Sequence, residues 1–239
     1  MEFKEFSNLI DQWDQRIILK YNGLGGKPIT IILRFISFFG RETIWLFLIG
    51  FYLFIWYDPF LLSYISATFL TGLILILAIK QTVKRKRPFE RFEDGKIVIF
   101  ERKPTSRSFP SWHSYNVMSQ GLLIGLFFLE SPTMTLLILL FVSIVSFSRI
   151  QLGVHYPTDV IFGCIFGILG LLIALYLTGP LTFTFLTYLE QFLIYEIQYR
   201  QINPMLANNI GYLLFSLSVF FIIFLLAIIK TIRESMKKD

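Results

Sequence analysis

The sequence predicts an all-α protein, a polytopic membrane helical bundle with about six transmembrane helices. Of its 239 residues, 55% are hydrophobic and 16% are charged, and the mean hydropathy is +0.65. Such values lie outside the usual range of soluble domains. Several charge-free apolar runs approach the roughly 20 residues that an α-helix needs to cross a bilayer. We therefore expect one membrane-embedded domain over residues 1–239.

The clearest predicted spans are residues 59–79 and 131–148, which contain no charged side chain. A longer run covers residues 160–189, and Gly179 followed by Pro180 predicts a break within it. Glycine interrupts helices because it adds backbone freedom, and proline does so because it has no N–H donor. These three runs supply half of the expected crossings.

Three weaker runs complete the expected six spans. One lies within residues 201–229 and becomes strongly apolar near Ile210, and a shorter one lies between "PSWHS" and Glu130. The earliest, residues 43–57, is too short alone and is expected to extend back toward Pro28, with its charges near a membrane surface.

Other segments are expected to lie at the surface. Residues 1–20 are polar and mixed in charge, without the pattern of a signal peptide. Residues 181–201 resemble an amphipathic surface stretch, and "GKIVIFERK" alternates enough to predict either a short hairpin or an irregular lid. The lone cysteine, Cys164, is expected to have a structural role.

The net charge of +6 favours an anionic membrane surface or lipid headgroup as partner, and not nucleic acid, because the basic residues flank apolar runs. The basic run of residues 84–86 is interpreted as a juxtamembrane contact with lipid phosphates. Four acidic residues in the following loop are expected to balance neighbouring charges: Glu90, Glu93, Asp94 and Glu101.

The chain has only two histidines, and the predicted spans place both on one side of the membrane. His113 follows the second span and His155 follows the fourth. Consecutive spans alternate in direction, so these two loops share one aqueous surface. Lys80, Arg87 and Arg149 lie at the same membrane side. The topology therefore predicts a histidine-containing cationic site.

The residues around each histidine favour reaction with an anion. In "HYPTD", Asp159 lies four residues after His155, close enough to accept a hydrogen bond from one imidazole nitrogen and leave the other as nucleophile or base. In "PSWHS", Ser111 is expected to cap a helix whose first-turn N–H groups form an anion site near His113. With the three cations, this arrangement indicates phosphoryl transfer without a metal.

Three spaced motifs occur in order within residues 80–159. They are Lys80, six residues, Arg87-Pro88; Pro110-Ser111-x-His113-Ser114; and Ser148-Arg149, five residues, His155, three residues, Asp159. This pattern resembles the type 2 phosphatidic acid phosphatase superfamily, in its integral-membrane lipid phosphatase branch. The three-part spacing is far more specific than any single motif.

The resemblance implies a role for each matched position. His155 would attack phosphorus and form a phosphohistidine, Asp159 would orient it, and His113 would protonate the leaving group. The phosphate oxygens would be held by Lys80, Arg87, Ser111 and Arg149. The family needs no cofactor, and two histidines sharing one aspartate are a poor ligand set for a dedicated metal site.

The resemblance leaves the substrate and part of the chemistry open. A polyprenyl diphosphate such as undecaprenyl diphosphate, phosphatidylglycerol phosphate, phosphatidic acid and the 1-phosphate of lipid A all qualify, as does phosphate transfer to another lipid. A transporter would need polar groups inside the spans, which are nearly absent. A haloperoxidase reaction fits poorly with a membrane chain.

The membrane side of the site is open as well. The resemblance implies the outer, periplasmic face of the cell membrane. The positive-inside rule favours the cytoplasm, since the tail "IKTIRESMKKD" is net basic and six spans would put it on the catalytic side. An additional crossing by residues 181–201 would move that tail to the opposite side. We expect the outer face.

Overall fold

The computed structural model describes residues 3–92, 95–192, 199–203, 206 and 208–236, and most of these residues are helical. In chain order the helices are α1 (Phe3–Tyr21), α2 (Gly26–Ser37), α3 (Glu42–Phe54), α4 (Pro59–Val83), α5 (Pro88–Arg91), α6 (Trp112–Leu122), α7 (Pro132–Gln151), α8 (Pro157–Ile173), α9 (Gly179–Glu190) and α10 (Ile210–Met236). The predicted all-α class is confirmed.

Four helical stretches in the described residues are long and apolar enough to cross a membrane: Pro59–Arg91, Pro132–Gln151, Pro157–Glu190 and Ile210–Lys230. Two shorter helices stand beside them. One is α3, and the other is α6, which continues as a π-helical turn over Leu123–Phe128. These six helices correspond to the six predicted runs, and the chain is an integral membrane protein.

Polar caps and prolines define where the membrane helices begin. Asp58 accepts hydrogen bonds from the N–H groups of Phe60 and Leu61, each at 3.0 Å, at the start of α4. Ser131 caps α7 in the same way through Met134 N at 3.3 Å. Side-chain oxygens here satisfy N–H groups that a helix leaves unpaired in its first turn.

The predicted break at Gly179-Pro180 is wrong, because the helix continues through it. A π-helical turn over Ala174–Thr178 joins α8 to α9. Its wider hydrogen-bond spacing accommodates Pro180, which has no N–H to donate. A Cβ at Gly179 would lie 2.6 Å from the Tyr64 ring, so glycine allows α9 to pack on α4. The first part of the predicted surface stretch therefore belongs to this span, and residues 193–198 lie outside the described residues.

Helix α6 is the centre of the bundle and packs against α4, α7 and α8. Its Tyr115 is fully buried, and its hydroxyl donates to the carbonyl oxygen of Thr68 at 2.9 Å. A Cβ at Gly72 or at Gly170 would lie 1.9 Å or 2.1 Å from Tyr115 atoms. Two glycines thus make the space that this tyrosine fills between α4 and α8.

Large apolar side chains cover the outside of the bundle, as expected for surfaces in contact with lipid. Ile74 on α4 is 71% exposed and Leu136 on α7 is 67% exposed. At one end of the bundle, the two-residue strands β1 (Trp56–Tyr57) and β2 (Gln201–Ile202) pair antiparallel. The opposite end carries the long loop between α5 and α6.

That loop does not form the predicted hairpin, and the irregular alternative is correct. Over its described residues, "GKIVIFERK" contains no strand. Its backbone groups bond to other parts of the chain. Val98 N donates to Asn22 Oδ1 at 2.8 Å, and Phe100 N donates to the carbonyl oxygen of Leu152 at 3.3 Å. These contacts hold the loop across the end of α7.

Candidate active site

A cavity of about 550 Å³ opens at the end of the bundle where α4 and α7 end and where α3, α6 and α8 begin. It is lined by five of the seven residues predicted to form the site: Lys80, Arg87, His113, Arg149 and His155. The other two, Ser111 and Asp159, are fully buried and do not line the cavity. The structure therefore brings the three motifs together.

His155 lies in the short turn between α7 and α8. Gly153 makes this turn possible with φ of +78°, a region that favours glycine, and a Cβ there would lie 2.5 Å from the carbonyl oxygen of Val98. His155 Nδ1 is 3.3 Å from Asp159 Oδ2, one helical turn later, as the spacing predicted. The carboxylate therefore orients the imidazole and favours the Nδ1-protonated tautomer.

The other imidazole nitrogen of His155 faces a cation. Arg87 NH1 is 3.2 Å from His155 Nε2, so the guanidinium donates to the lone pair of this nitrogen. Arg87 itself is held by the carbonyl oxygens of Ser106 and Val154, at 2.7 Å and 2.8 Å. The lone pair that could attack phosphorus is thus directed toward a group suited to hold a phosphate oxygen.

Burial lowers the pKa of His155 well below its ordinary value of 6.5, and the positive charges of Arg87, Lys80 and Arg149 lower this pKa further. Both effects disfavour the imidazolium form. His155 is therefore neutral at physiological pH, the state in which its Nε2 can act as a nucleophile.

Asp159 is held by several donors besides His155. Its Oδ2 accepts from Tyr156 N at 2.9 Å and from the Ser108 hydroxyl, and its Oδ1 accepts from Arg85 NH1 at 2.7 Å. Asp159 is fully buried, so these donors compensate a charge that water cannot reach. Its orientation toward His155 is consequently fixed.

Lys80 lies in the last turn of α4 and joins the cavity wall to the loop before α6. Its Nζ donates to the carbonyl oxygen of Arg107 at 2.5 Å and to that of Ser108 at 3.4 Å. The side chain is 8% exposed. Lys80 thus places a buried positive charge beside His155.

Arg149, at the end of α7, forms a bidentate ion pair with Glu101. Arg149 NH2 is 2.5 Å from Glu101 Oε1, and NH1 is 3.0 Å from Oε2 and 2.5 Å from Ser37 Oγ. Burial opposes ionisation of Glu101, but the Arg149 charge and hydrogen bonds outweigh burial and lower the pKa of this carboxyl. Glu101 therefore occupies the guanidinium fork that was predicted to hold phosphate.

His113 and Ser111 begin helix α6. Ser111 Oγ accepts from Ser114 N at 3.4 Å, which confirms the predicted cap, and Ser111 N donates to the carbonyl oxygen of Asp159 at 2.9 Å. This contact joins the second motif to the third. Among the residues that the structure describes, His113 Nε2 is buried without a hydrogen-bond partner. A Cβ at Gly40 would lie 2.8 Å from the His113 side chain.

Two contacts of the site were not predicted from the sequence. Glu101 was expected to balance charges on the loop and instead pairs with Arg149 inside the cavity. Arg85 was assigned to a membrane-surface run and instead contacts Asp159. Four further basic residues, here called the basic rim, line the same cavity: Arg41, Arg102, Lys103 and Lys230.

Lys230 of the basic rim also shows the direction of α10. Lys230, near the end of α10, lines the cavity together with His113. The end of α10 therefore lies on the catalytic side, and so does α1, whose Asp14 contacts Thr158 at the start of α8. An additional crossing by residues 181–201 would have placed α10 in the opposite direction.

The site is poor in metal ligands. Within the described residues, no group of three or more His, Cys, Asp and Glu side chains could hold a metal ion. Seven cations and two histidines line the cavity, against two carboxylates, Glu42 and Glu101. Such a set is suited to an anionic ligand.

A sequence model of the PAP2 superfamily matches residues 59–183, more than half of the chain. The chain belongs to the PAP2 superfamily. The match contains all seven predicted site residues, and helices α1, α2, α3 and α10 lie outside it.

Two curated relatives illustrate the similarity. The chain is 29% identical to the undecaprenyl-diphosphatase of Sulfolobus acidocaldarius over 167 residues, which cover 69% of this chain and 78% of the relative. It is 34% identical to the decaprenylphosphoryl-5-phosphoribose phosphatase of Mycobacterium tuberculosis over 102 residues, which cover 43% of this chain and 52% of that protein.

Two solved structures share the fold. The Aquifex aeolicus LpxE structure matches with a TM-score of 0.57 at 20% identity and covers 67% of this chain and 93% of that one. The Bacillus subtilis phosphatidylglycerolphosphate phosphatase, a transmembrane PAP2-type enzyme, matches with a TM-score of 0.57 at 21% identity, with coverage of 79% and 90%. Both likenesses support the PAP2 membrane fold.

Proposed function

We propose that this PAP2-type lipid phosphatase releases phosphate from a membrane lipid phosphate or diphosphate through a phosphohistidine intermediate on His155, without a metal ion. The observation that carries the proposal is the cavity itself. A neutral imidazole, oriented by a buried carboxylate, lies there beside three buried cations, and a second histidine shares the same wall. The whole chain, residues 1–239, acts as one catalytic domain around residues 80–159.

In the first step, the lone pair of His155 Nε2 attacks phosphorus and forms an N–P bond. The P–O bond to the lipid breaks, its electron pair stays on the leaving oxygen, and His113 gives that oxygen a proton. Asp159 retains the Nδ1 proton of His155 by hydrogen bonding and stabilises the positive ring that forms. Lys80, Arg87 and Arg149 stabilise the charge on the equatorial oxygens.

In the second step, His113 takes a proton from a water molecule that attacks phosphorus. The N–P bond breaks, its electron pair returns to His155 Nε2, and inorganic phosphate leaves. The histidine pair is restored to its starting protonation. Ser111 supports this site from behind the wall, because it caps the helix that carries His113.

The charge around the cavity supports a particular class of substrate. The basic rim adds positive charge beyond the three cations next to His155, which supports a headgroup with more than one phosphate. A polyprenyl diphosphate such as undecaprenyl diphosphate fits this feature, as does a glycerophospholipid phosphate such as phosphatidylglycerol phosphate or phosphatidic acid. The 1-phosphate of lipid A is the alternative substrate.

A substrate panel tests this proposal. Purified protein is assayed for phosphate release from undecaprenyl diphosphate, phosphatidylglycerol phosphate, phosphatidic acid and lipid A, with the His155→Ala variant as the inactive control. We expect the highest kcat/KM with a lipid from the first three. Phosphate release from none of the four lipids would contradict the proposal.

Phosphate transfer to a second lipid is the alternative reaction. It requires that an acceptor hydroxyl, and not water, attacks phosphorus in the second step. Radiolabelled substrate in mixed-lipid vesicles separates the two reactions, because hydrolysis releases labelled inorganic phosphate and transfer gives a labelled lipid. We expect labelled inorganic phosphate as the main product.

We further propose that the cavity opens on the outer face of the cell membrane. Single cysteines at the exposed positions Lys96 and Glu130, near opposite ends of the bundle, test this in a Cys164→Ser background. A membrane-impermeant thiol reagent added outside intact cells should label position 96 and leave position 130 unlabelled. The reverse pattern would place the site in the cytoplasm.

A further inference from the structure

A buried carboxylate from the N-terminal helix reaches the catalytic centre through Arg85. Asp14, on α1, is fully buried and accepts from Arg85 NH2 at 2.5 Å. The other terminal nitrogen of the same guanidinium, NH1, donates to Asp159 Oδ1 at 2.7 Å. Arg85 therefore bridges two carboxylates, one of which orients His155.

Thr158 closes this arrangement at the start of α8. Its backbone N–H donates to Asp14 Oδ1 at 2.9 Å, its hydroxyl donates to Asp14 Oδ2 at 2.5 Å, and that hydroxyl accepts from Arg85 NH1 at 2.7 Å. Asp14 thus satisfies a first-turn N–H of the helix that carries Asp159. The Arg85 guanidinium also lies 4.3 Å from the ring centroid of Tyr156.

We propose that Arg85 and Asp14 are positioning residues for the nucleophile, which fix the orientation of Asp159 and set the charge that it presents to His155. This inference rests on the proposed role of His155. Neither residue lines the cavity, and Asp14 lies outside the part of the chain that matches the PAP2 superfamily. Helix α1 would therefore contribute to catalysis without contacting substrate.

The physical argument is the alternation of charge along the series Asp14, Arg85, Asp159 and His155. An uncompensated Asp159 would stabilise the imidazolium form of His155 and remove the lone pair that attacks phosphorus. Arg85 offsets that field through its contact with Oδ1. Asp14 in turn offsets part of the Arg85 charge, so that Asp159 keeps enough charge to hold the Nδ1 proton.

Other charged and titratable groups also face His155, one from each packed element. They are Lys80 of α4, Arg87 before α5, His113 of α6, Arg149 of α7 and Asp159 of α8. Substitution of Arg85 or Asp14 does not remove the charge of any of these five groups. A change in the titration of His155 therefore reports on the two positioning residues.

Because the charges alternate, substitutions of Arg85 and of Asp14 should shift the protonation midpoint of His155 in opposite directions. Arg85→Gln removes a positive charge next to Asp159, so we expect the protonation midpoint of His155 to rise by at least about half a pH unit. Asp14→Asn leaves Arg85 to compensate Asp159 alone, so the midpoint should fall. Arg85→Lys, which retains the charge, should lie between Arg85→Gln and the unchanged protein.

The measurement is a titration of ¹⁵N-histidine-labelled protein by NMR, which requires no enzymatic activity. The chain has only two histidines, and the His113→Gln variant assigns the two imidazole signals. Asp11→Asn is the matched control, because Asp11 lies one turn earlier on α1 and pairs with the exposed Arg91 at 2.5 Å. This variant should leave the midpoint of His155 unchanged.

Turnover gives a second readout. We expect Arg85→Gln and Asp14→Asn to lower kcat roughly tenfold with KM within about twofold, the pattern of a group that supports the reacting residue. Three results would overturn the inference. The protonation midpoint of His155 could stay unchanged, could move in the same direction in both variants, or could move equally in Asp11→Asn. If unchanged protein released no phosphate while the midpoints shifted in opposite directions, the proposed function would fail and the electrostatic coupling would stand.

Discussion

At the scale of single residues, His155 combines two contacts that usually compete. Asp159 at 3.3 Å from Nδ1 favours a proton on the ring, and Arg87 at 3.2 Å from Nε2 disfavours a second one. A histidine near a carboxylate alone would be more basic than usual. Here burial and three cations outweigh the carboxylate, so the ring stays neutral and nucleophilic.

The lowered pKa of His155 predicts the acid limb of the pH–rate profile. Activity requires the neutral ring, and a pKa below the ordinary 6.5 keeps the ring neutral at lower pH. We therefore expect kcat/KM to fall only below pH 6.5 as acid is added. The profile should be measured with two lipid phosphates whose phosphate groups have different pKa values. An acid limb that occurs in both profiles then reports ionisation of the enzyme. A common acid limb with its midpoint above pH 6.5 would contradict this account.

Glu101 gives a second prediction, because its carboxylate occupies the fork of Arg149 that a phosphate needs. Bidentate binding of phosphate by Arg149 requires that Glu101 be displaced. Glu101→Gln removes the competing charge, so we expect vanadate and inorganic phosphate to inhibit several-fold more strongly. Inhibition constants measure this, with Glu130→Gln at the far end of the bundle as control. Weaker inhibition in Glu101→Gln would show that Glu101 holds Arg149 in place for the anion.

The sequence predicted which residues line the cavity better than it predicted their hydrogen-bond partners. Motif spacing and span alternation were enough to bring Lys80, His113 and His155 to one cavity, because each lies at a helix end. The contacts of Glu101 and Arg85 join residues 48 and 74 positions apart, and no local pattern specifies them. An acid in a charged loop and a cation in a basic run have the same local signature whether they are exposed or buried.

At the scale of helices, the packing of α6 depends on two glycines. Tyr115 fills the space beside Gly72 and Gly170, and an added methyl group at either position would overlap its ring. Since α6 carries His113 in its first turn, this packing also positions the proton donor. The fold and the site are therefore coupled through one aromatic side chain.

Gly72→Ala tests this coupling. Overpacking of a close-packed interior costs on the order of 1–3 kcal/mol, so we expect a lower midpoint of thermal unfolding in detergent. Gly50→Ala is the matched control, since a Cβ there would be at an ordinary contact distance of 3.4 Å from Phe220. Equal stability of the two variants would contradict the proposed role of Tyr115.

Hydropathy predicted the helices well and their irregular parts poorly. Apolar runs gave α4, α7 and α10 close to their observed bounds, because a bilayer crossing requires a continuous run of backbone hydrogen bonds. The continuation through Gly179 and Pro180 depends on a π-helical turn and on close packing against Tyr64. The loop at residues 95–103 finds its partners in Asn22 and Leu152, so its alternating pattern does not produce a hairpin.

At the scale of the whole molecule, the catalytic end of the bundle gathers parts from well outside the PAP2 match. Helix α1 contributes Asp14 and α10 contributes Lys230, so both described ends of the chain lie on the catalytic side. The concentration of cations at that end favours association with anionic lipid headgroups. The molecule thus has one cationic end with the cavity and an apolar belt around its helices.

That charge distribution predicts activity without a divalent metal. Lys80, Arg87 and Arg149 supply the positive charge that magnesium supplies in many phosphoryl transfer enzymes. We expect full activity in excess EDTA and strong inhibition by vanadate, which adopts the five-coordinate geometry of the transferring phosphoryl group. Loss of activity with EDTA that a divalent cation restores would remove this mechanism.

The two histidines differ in their expected contribution to each step. His155→Ala should lower kcat at least about 10³-fold with every substrate, because no N–P bond can form. His113→Ala should lower it by about 10²–10⁴ with a lipid leaving group. A p-nitrophenolate leaving group needs no proton and should restore much of the first step in the His113 variant.

The most direct measurement of the central claim is rapid-quench trapping of the phosphoenzyme from radiolabelled substrate. With a radiolabelled substrate that releases p-nitrophenolate, His113→Ala can form the N–P bond without its proton donor, but attack of water lacks its base, so acid-labile label should accumulate and peptide mapping should locate it on His155. His155→Ala should carry no label. Three results would contradict a phosphohistidine at His155: label on His113, label that survives in His155→Ala, or turnover of the p-nitrophenolate substrate by His113→Ala without any trapped label.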